Sequence, residues 1–334
     1  MIFPTSSWFF FFPLISGSFL AISSTSWFLM WVGLELNLMS FIPLIMIKMN
    51  PYLSETALKY FLIQALGSTF IIMFSSLNLS LHLIIQSFIL MALLLKMGAA
   101  PFHFWFPHVM TKLNWPQIII LVSVQKIAPM YLTSYFMMSQ PLIFIISLSA
   151  IMSAIIGAIN GLNILNLRKI MAFSSINHLS WMLIAISIND YLWWMYFSFY
   201  ILISSSVIIF FYLFQTYTIS QLSNTSSSNP YLTLTLPFSL LSLGGLPPFS
   251  GFIPKWIMIQ AMMTNSMFIP LFFLILSSLI TIYFYLRILT PFILFYTPLL
   301  NNHFKFSLSS LAYMIFIIIS NILSLLIPIP FMYP

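Results

Sequence analysis

Long apolar runs follow one another along almost the whole of this chain, and no water-soluble fold can bury so many. Cutting at polar, Gly, Pro, Asn or charged breaks gives eleven runs, at residues 3–22, 27–47, 56–77, 82–107, 116–137, 141–162, 171–188, 191–214, 232–263, 268–290 and 308–328. Each is near the roughly 20 residues that carry a helix through hydrocarbon about 30 Å thick. Of 334 residues only 4% are charged and 61% are hydrophobic, whereas a soluble domain carries about 25% charged residues. The solvent expected for most of the chain is lipid. Only helices and closed barrels satisfy their backbone in hydrocarbon, and no stretch alternates polar and apolar over the ten or so residues of a barrel strand. The sequence predicts an all-α polytopic membrane protein with about eleven transmembrane helices. The first run has no basic leader and no small-residue cleavage site, so it reads as a retained span and not as a signal peptide.

The basic residues sort by side. Lys48, Lys59, Lys112, Arg168, Lys169, Arg287 and Lys305 lie in or beside connections that follow even-numbered runs. Connections after odd-numbered runs hold no Lys or Arg, and one of them holds Asp190. Positive residues stay on the side of insertion, which puts the N-terminus on the matrix or cytoplasmic face and the C-terminus, after an odd count, on the other. The formal charge of +7 is thereby explained by topology, with no nucleic-acid partner. The absence of cysteine excludes zinc-thiolate, iron–sulfur and disulfide chemistry for this chain by itself.

Four charges fall inside the runs: Glu35, Lys96, Lys126 and Lys255. Each costs at least about 2.5–3.5 kcal/mol near the bilayer centre, and intramembrane charges mark ion pathways. The bland alternatives are lysines that snorkel to the headgroups and, for Glu35, a purely structural ion pair. Helix breakers stand beside these charges: Gly98 and Pro101 after Lys96, Pro129 after Lys126, and Gly244, Gly245, Pro247, Pro248 and Pro254 before Lys255. Proline removes a helix hydrogen bond and clashes with the preceding turn, so breaks are expected there. Unwound backbone at membrane depth survives only inside protein or beside water. The interrupted runs are the fourth and ninth, five apart. Two five-helix units in series have opposite orientations because five is odd, and matched interruptions in inverted halves point to an ion site. The expected organisation is one transmembrane domain made of two inverted five-helix repeats, 3–137 and 141–290, with an extra C-terminal helix at 308–328.

His103 follows the first break and His178 lies early in the seventh run. An imidazole titrates near neutral pH and can relay a proton, although a lone buried His is more often structural. His82, His108 and His303 read as helix-end or interface residues. His103 and His108 make no metal site, since no acid or thiol stands near them. The Gly-rich run lacks the Lys-Ser/Thr of a phosphate loop, and no Ser/His/acid set is present.

These residues carry a family resemblance. The motifs are Trp31-Val32-Gly33-Leu34-Glu35-Leu36-Asn37, Phe41-Ile42-Pro43, Lys59-Tyr60-Phe61-Leu62, the run from Lys96 to Trp105, Gln125-Lys126-Ile127-Ala128-Pro129, the run from Leu167 to Ile176, the run from Leu241 to Pro248, Pro254-Lys255-Trp256 and Tyr283-Phe284-Tyr285-Leu286-Arg287. Over nearly its whole length the chain resembles the antiporter-like subunits of respiratory NADH:ubiquinone oxidoreductase (complex I), in the subunit 2 branch. The family's acid on its second helix matches Glu35, and its three lysines match Lys96, Lys126 and Lys255. The resemblance implies a form shorter than bacterial members by three N-terminal helices, similar to the animal mitochondrial form, and the Phe/Ile/Met/Asn-heavy composition resembles insect members. The resemblance implies a place in the mitochondrial inner membrane among other membrane-arm subunits and phospholipids, and not as a homo-oligomer. It also implies FMN, iron–sulfur clusters and ubiquinone, all on other subunits and none on this chain.

Together these readings predict a proton-translocating subunit. A Glu35–Lys96 contact would hold both groups charged, and breaking it would favour proton release. Lys96, Lys126 and Lys255 would form a hydrated row, with His103 and His178 in its gaps. The competing expectations are a stand-alone cation/proton antiporter and an inert assembly scaffold.

Overall fold

The structure is a computed structural model and describes residues 8–47, 50–77, 82–225 and 230–294. Fourteen helices occupy them: α1 Trp8–Ser23, α2 Trp27–Ile45, α3 Pro51–Ser75, α4 His82–Met97, α5 Trp105–Lys112, α6 Trp115–Val122, α7 Val124–Ser134, α8 Gln140–Gly161, α9 Leu167–Ile188, α10 Asp190–Phe214, α11 Ile219–Thr225, α12 Pro230–Gly244, α13 Phe252–Thr264 and α14 Phe268–Leu294. The sole β pairing among the described residues is an isolated bridge between Asn166 and Thr218.

Helix ends fall where side chains can serve the free N–H groups of a first turn. Ser26 accepts from the Leu29 N–H, Asn166 from Arg168 and Asn189 from Tyr191. Asn114 and Gln117 form a capping box at α6. The link from Thr216 to Pro230 reads from sequence as a plain polar connection, yet it contains α11. The reason is a Thr-x-x-Gln signature, in which the Gln221 Oε1 accepts from the Thr218 N–H (3.3 Å) and so pins the first turn.

Seven spans are long and apolar enough to cross a membrane: Trp27–Ile45, Pro51–Ser75, Trp115–Ser134, Gln140–Gly161, Leu167–Ile188, Asp190–Phe214 and Phe268–Thr290. Three more apolar helices are shorter: Trp8–Ser23, Leu83–Met97 and Thr235–Gly244. The described residues therefore hold seven such spans where the sequence suggests ten. The first run loses its leading residues to the undescribed part, and the fourth and ninth are each divided in two. The eleventh run at 308–328, Lys48, His303 and Lys305 lie outside the described residues. Exposed Phe, Leu and Tyr side chains such as Phe9, Leu58, Phe144 and Tyr283 form a surface that suits lipid and not water. The chain is an all-helical membrane protein.

The helices group into two compact units, Met1–Ser153 and Ala154–Pro334. In the first, α1 and α2 approach to backbone contact: a Cβ on Gly33 would stand 2.6 Å from the Ala21 nitrogen. Small residues allow such packing in membranes, where little hydrophobic force drives helices together. In the second unit α9 is the central element, buried along almost all its length from Leu167 to Ile186. Its serines adapt to that place by donating back into the helix, Ser174 to the Met171 carbonyl (2.9 Å) and Ser175 to Ala172 (2.7 Å), which places the hydroxyl protons on the helix's own carbonyls.

Both expected breaks occur, and they are built alike. Seven residues, 98–104, separate α4 from α5, and seven, 245–251, separate α12 from α13. Each break opens on a glycine at φ +74°, Gly98 and Gly245. At the first, Gly98 N–H donates to the Leu95 carbonyl (3.2 Å) and Ala99 N–H to Leu94 (3.0 Å). At the second, Gly245 N–H donates to Ser242 (3.0 Å) and Leu246 N–H to Leu241 (3.3 Å). This pair of bonds with a left-handed residue is the Schellman cap. Gly244 closes α12, and Pro254 sits in the first turn of α13, where its missing N–H costs nothing. Pro129 does not break its helix; it lies inside α7. The interruption in that run comes at Ser123 (φ −103°, ψ −84°). There the hydroxyl donates to the Ile119 carbonyl (2.6 Å), and the Lys126 N–H donates to the Ser123 carbonyl, three residues back.

Candidate functional site

In the first unit α2 carries Glu35, α4 carries Lys96 and α7 carries Lys126. Lys96 and Lys126 are 6% and 2% exposed, which removes snorkelling as an explanation for either. Lys96 occupies the last turn of α4, where a cation meets the negative end of the helix dipole. Its stem lies over Gly67 of α3, whose Cβ, if present, would be 3.0 Å from Lys96 Cγ. Gln64, one turn earlier on α3, donates Nε2–H to the Lys96 carbonyl (3.1 Å). Lys126 Nζ stands 5.1 Å from the centre of the Phe106 ring, a cation–π distance.

Glu35 is half-buried on α2. The direct Glu35–Lys96 ion pair expected from sequence is not formed; the ion pairs among the described residues belong to Glu55. The Lys96 stem lies instead against Gly67 of α3. His103 is buried in the first break, where its Nδ1–H donates to the Pro101 carbonyl (3.2 Å). That bond leaves Nε2 as the acceptor.

In the second unit Lys255, 6% exposed, stands four residues past the end of the break. Its Nζ turns back and donates to the Gly244 carbonyl (2.7 Å) at the C-terminal end of α12. Thus it too binds a negative helix end. His178 is buried on α9 and shares a hydrogen bond with the Tyr196 hydroxyl through Nδ1 (3.0 Å). The Tyr200 ring lies 5.0 Å from the imidazole. His178, Tyr196, Tyr200 and Ile203 line a small cavity together with Ser242, Leu243, Gly251 and Pro254, residues in and beside the second break. Its scale suits a single water molecule. No cluster of three metal-binding side chains occurs among the described residues.

Other polar groups do structural work that the sequence reading left unassigned. Gln117 Nε2 donates to the Leu44 (2.7 Å) and Ile45 (3.1 Å) carbonyls and so serves the end of α2. Glu55 accepts from Lys59 (2.6 Å) on its own helix and from Lys112 at the end of α5. Asn177 accepts from Ser277 of α14 (2.9 Å). Arg287 donates to the Leu162 carbonyl, and Arg168 lies over the Tyr217 ring at 4.1 Å. The signal for the amides is weak in a sequence, because an uncharged polar group costs far less than a charge at membrane depth.

Known proteins match this arrangement. The model of a family described as NADH:quinone oxidoreductase/Mrp antiporter, TM, fits residues 24–281, a stretch that includes Glu35, Lys96, His103, Lys126, His178 and Lys255. A NADH-ubiquinone oxidoreductase chain 2 from Anopheles gambiae is 47% identical over 315 residues, covering 90% of each chain. The chain belongs to this family. The chain 2 of Aedes aegypti is 45% identical over 287 residues and 83% of each chain. In fold, this chain 2 family member resembles a chain of the respiratory complex I of Thermus thermophilus with bound aureothin. The TM-score is 0.80 at 23% identity, over 92% of this chain and 74% of the other.

Proposed function

We propose that this chain is a membrane-arm subunit of respiratory NADH:ubiquinone oxidoreductase and takes part in moving protons across the inner mitochondrial membrane as electrons pass from NADH to ubiquinone. The observation that carries the reading is the place of the three buried lysines. Lys96, Lys126 and Lys255 each lie within about one helical turn of an interruption, at Gly98, Ser123 and Gly251. A membrane-buried cation is costly, and interrupted backbone at that depth requires protein or water around it. Lysine beside water is a proton carrier: it gives up its proton when its surroundings disfavour charge and regains it when an opposite charge returns. Glu35 supplies that variable charge. His103 and His178 serve as relays within their own units, His178 beside the small cavity at the second break.

Two inverted five-helix repeats, 3–137 and 141–290, with a further helix at 308–328, complete this reading and give eleven spans in all. The matched seven-residue breaks with identical caps support it. The N-terminus faces the matrix and the C-terminus the intermembrane space, following the basic residues. FMN, iron–sulfur clusters and ubiquinone belong to other subunits. The partners are other membrane-arm subunits and phospholipids. The stand-alone antiporter is not favoured, since the relatives at 47% and 45% identity are named as oxidoreductase chains.

The deciding experiment is a Lys126→Met complex, assembled and assayed in sealed vesicles. NADH oxidation is expected to persist with fewer protons moved per electron. A normal proton-to-electron ratio in a fully assembled complex would overturn the assignment of Lys126 as a carrier.

A further inference from the structure

We infer that Tyr60 and Gln125 are positioning residues, forming a bridge that fixes Lys126 against the helices of Glu35 and Lys96. The inference rests on the proton-carrying role proposed above.

The first turn of α7 needs support. It starts after the Ser123 interruption, and the Lys126 N–H bonds three residues back, to the Ser123 carbonyl (3.1 Å). Gln125, the residue before Lys126, provides that support from both sides of its amide. Its Nε2–H donates to Asn37 Oδ1 (2.8 Å) on α2, two residues from Glu35. Its Oε1 accepts from the Tyr60 hydroxyl (2.9 Å) on α3. Tyr60 and Asn37 are both buried, so neither bond competes with bulk water.

The bridge continues past Tyr60. Its ring is packed between Phe41 of α2 (5.1 Å) and Trp105 of α5 (5.9 Å). Trp105 Nε1–H donates to the Leu95 carbonyl (3.1 Å), one residue before Lys96 and part of the cap that ends α4. One connected set of contacts thus touches a near neighbour of each of the three intramembrane charges of this unit: Asn37 for Glu35, Gln125 for Lys126, Leu95 for Lys96. A shift of α7 that loosens the Gln125 amide releases α2 and α3 together. The bridge itself carries no proton.

The test compares Tyr60→Phe, Gln125→Met, the double variant and Lys126→Met in the assembled complex. Tyr60→Phe removes one oxygen and keeps the ring between its neighbours, so it is the variant least able to disturb assembly. Each single change removes neutral hydrogen bonds, and one such bond is worth about fivefold in the equilibrium that places Lys126. The expected result is retained NADH oxidation with a fall in protons moved per NADH, up to about that factor for Tyr60→Phe and larger for Gln125→Met, which loses both bonds. The double variant should fall no further than Gln125→Met, because the Tyr60 hydroxyl acts through that amide. Normal proton yield in Tyr60→Phe and Gln125→Met while Lys126→Met is uncoupled would overturn the bridge alone. So would additive losses in the double variant, or a Tyr60→Phe complex that fails to assemble. Normal yield in Lys126→Met would instead overturn the carrier role on which the bridge rests.

Discussion

A lysine buried in a membrane protein needs room for its stem as well as a partner for its charge, and here glycine provides the room. A Cβ on Gly67 would stand 3.0 Å from Lys96 Cγ and 3.3 Å from Cε, tighter than ordinary van der Waals contact. In a helix interior alanine is favoured over glycine by about 0.8–1.0 kcal/mol. Gly67→Ala should therefore leave the thermal stability of the complex unchanged or raised, and lower the proton-to-electron ratio by displacing Lys96. Melting curves and vesicle pumping on the same preparation separate the two effects. An unchanged ratio would show that the seat on Gly67 does not matter to transport. Gly245 plays the same part for Lys255, since its Cβ would fall 2.8 Å from Lys255 Cδ and 3.0 Å from Nζ.

At the scale of the element, the unit of interest is the interrupted helix. Gly98 and Gly245 hold left-handed backbone at φ +74°, where an L side chain costs roughly 1–2 kcal/mol. Gly98→Ala and Gly245→Ala should each lower the temperature at which the subunit is lost from the solubilised complex, read by native gels after graded heating. Unshifted loss temperatures would mean that the caps adapt without the glycine. A contrasting outcome is expected at Glu55, which ties the start of α3 to the end of α5 through Lys112. That carboxylate is 46% exposed, and exposed ion pairs contribute little and are screened by salt. Glu55→Gln should assemble, melt and pump like the parent at ordinary ionic strength, and a marked loss would make this contact more than a surface tether.

For the whole molecule, topology is the property most open to direct measurement. The chain has no cysteine, so a single introduced thiol reports its own side. Met138 and Leu165, 98% and 61% exposed, flank α8. Leu165→Cys should react with an impermeant thiol reagent from the matrix face, and Met138→Cys from the opposite face. The reverse labelling would invert the orientation, and labelling of both from one face would remove α8 as a span. On native gels of solubilised membranes the chain should migrate in a very large NADH-oxidising band, whereas a small inactive band would revive the stand-alone antiporter.

The breaks after Lys96 and before Lys255 were legible because glycine and proline act on the backbone within a turn or two of themselves. The cost of Lys96, Lys126, Lys255 and Glu35 was legible for a related reason: a charge in a run of apolar residues is expensive wherever the neighbouring helices lie. The break at Ser123 was not, since serine is compatible with a helix and Pro129 gave the stronger local signal. Nor were the open Glu35–Lys96 pair and the Tyr60–Gln125–Asn37 bridge. Those depend on how α2, α3, α4 and α7 are rotated against one another, which is set by packing between residues far apart in the chain. Sequence alone determined the solvent, the helical class, the buried charges and most of the interruptions, all local costs that each segment incurs by itself. Only the tertiary structure decided which side chains meet, because a hydrogen bond of 2.8 Å between Gln125 and Asn37 exists only once two helices have docked.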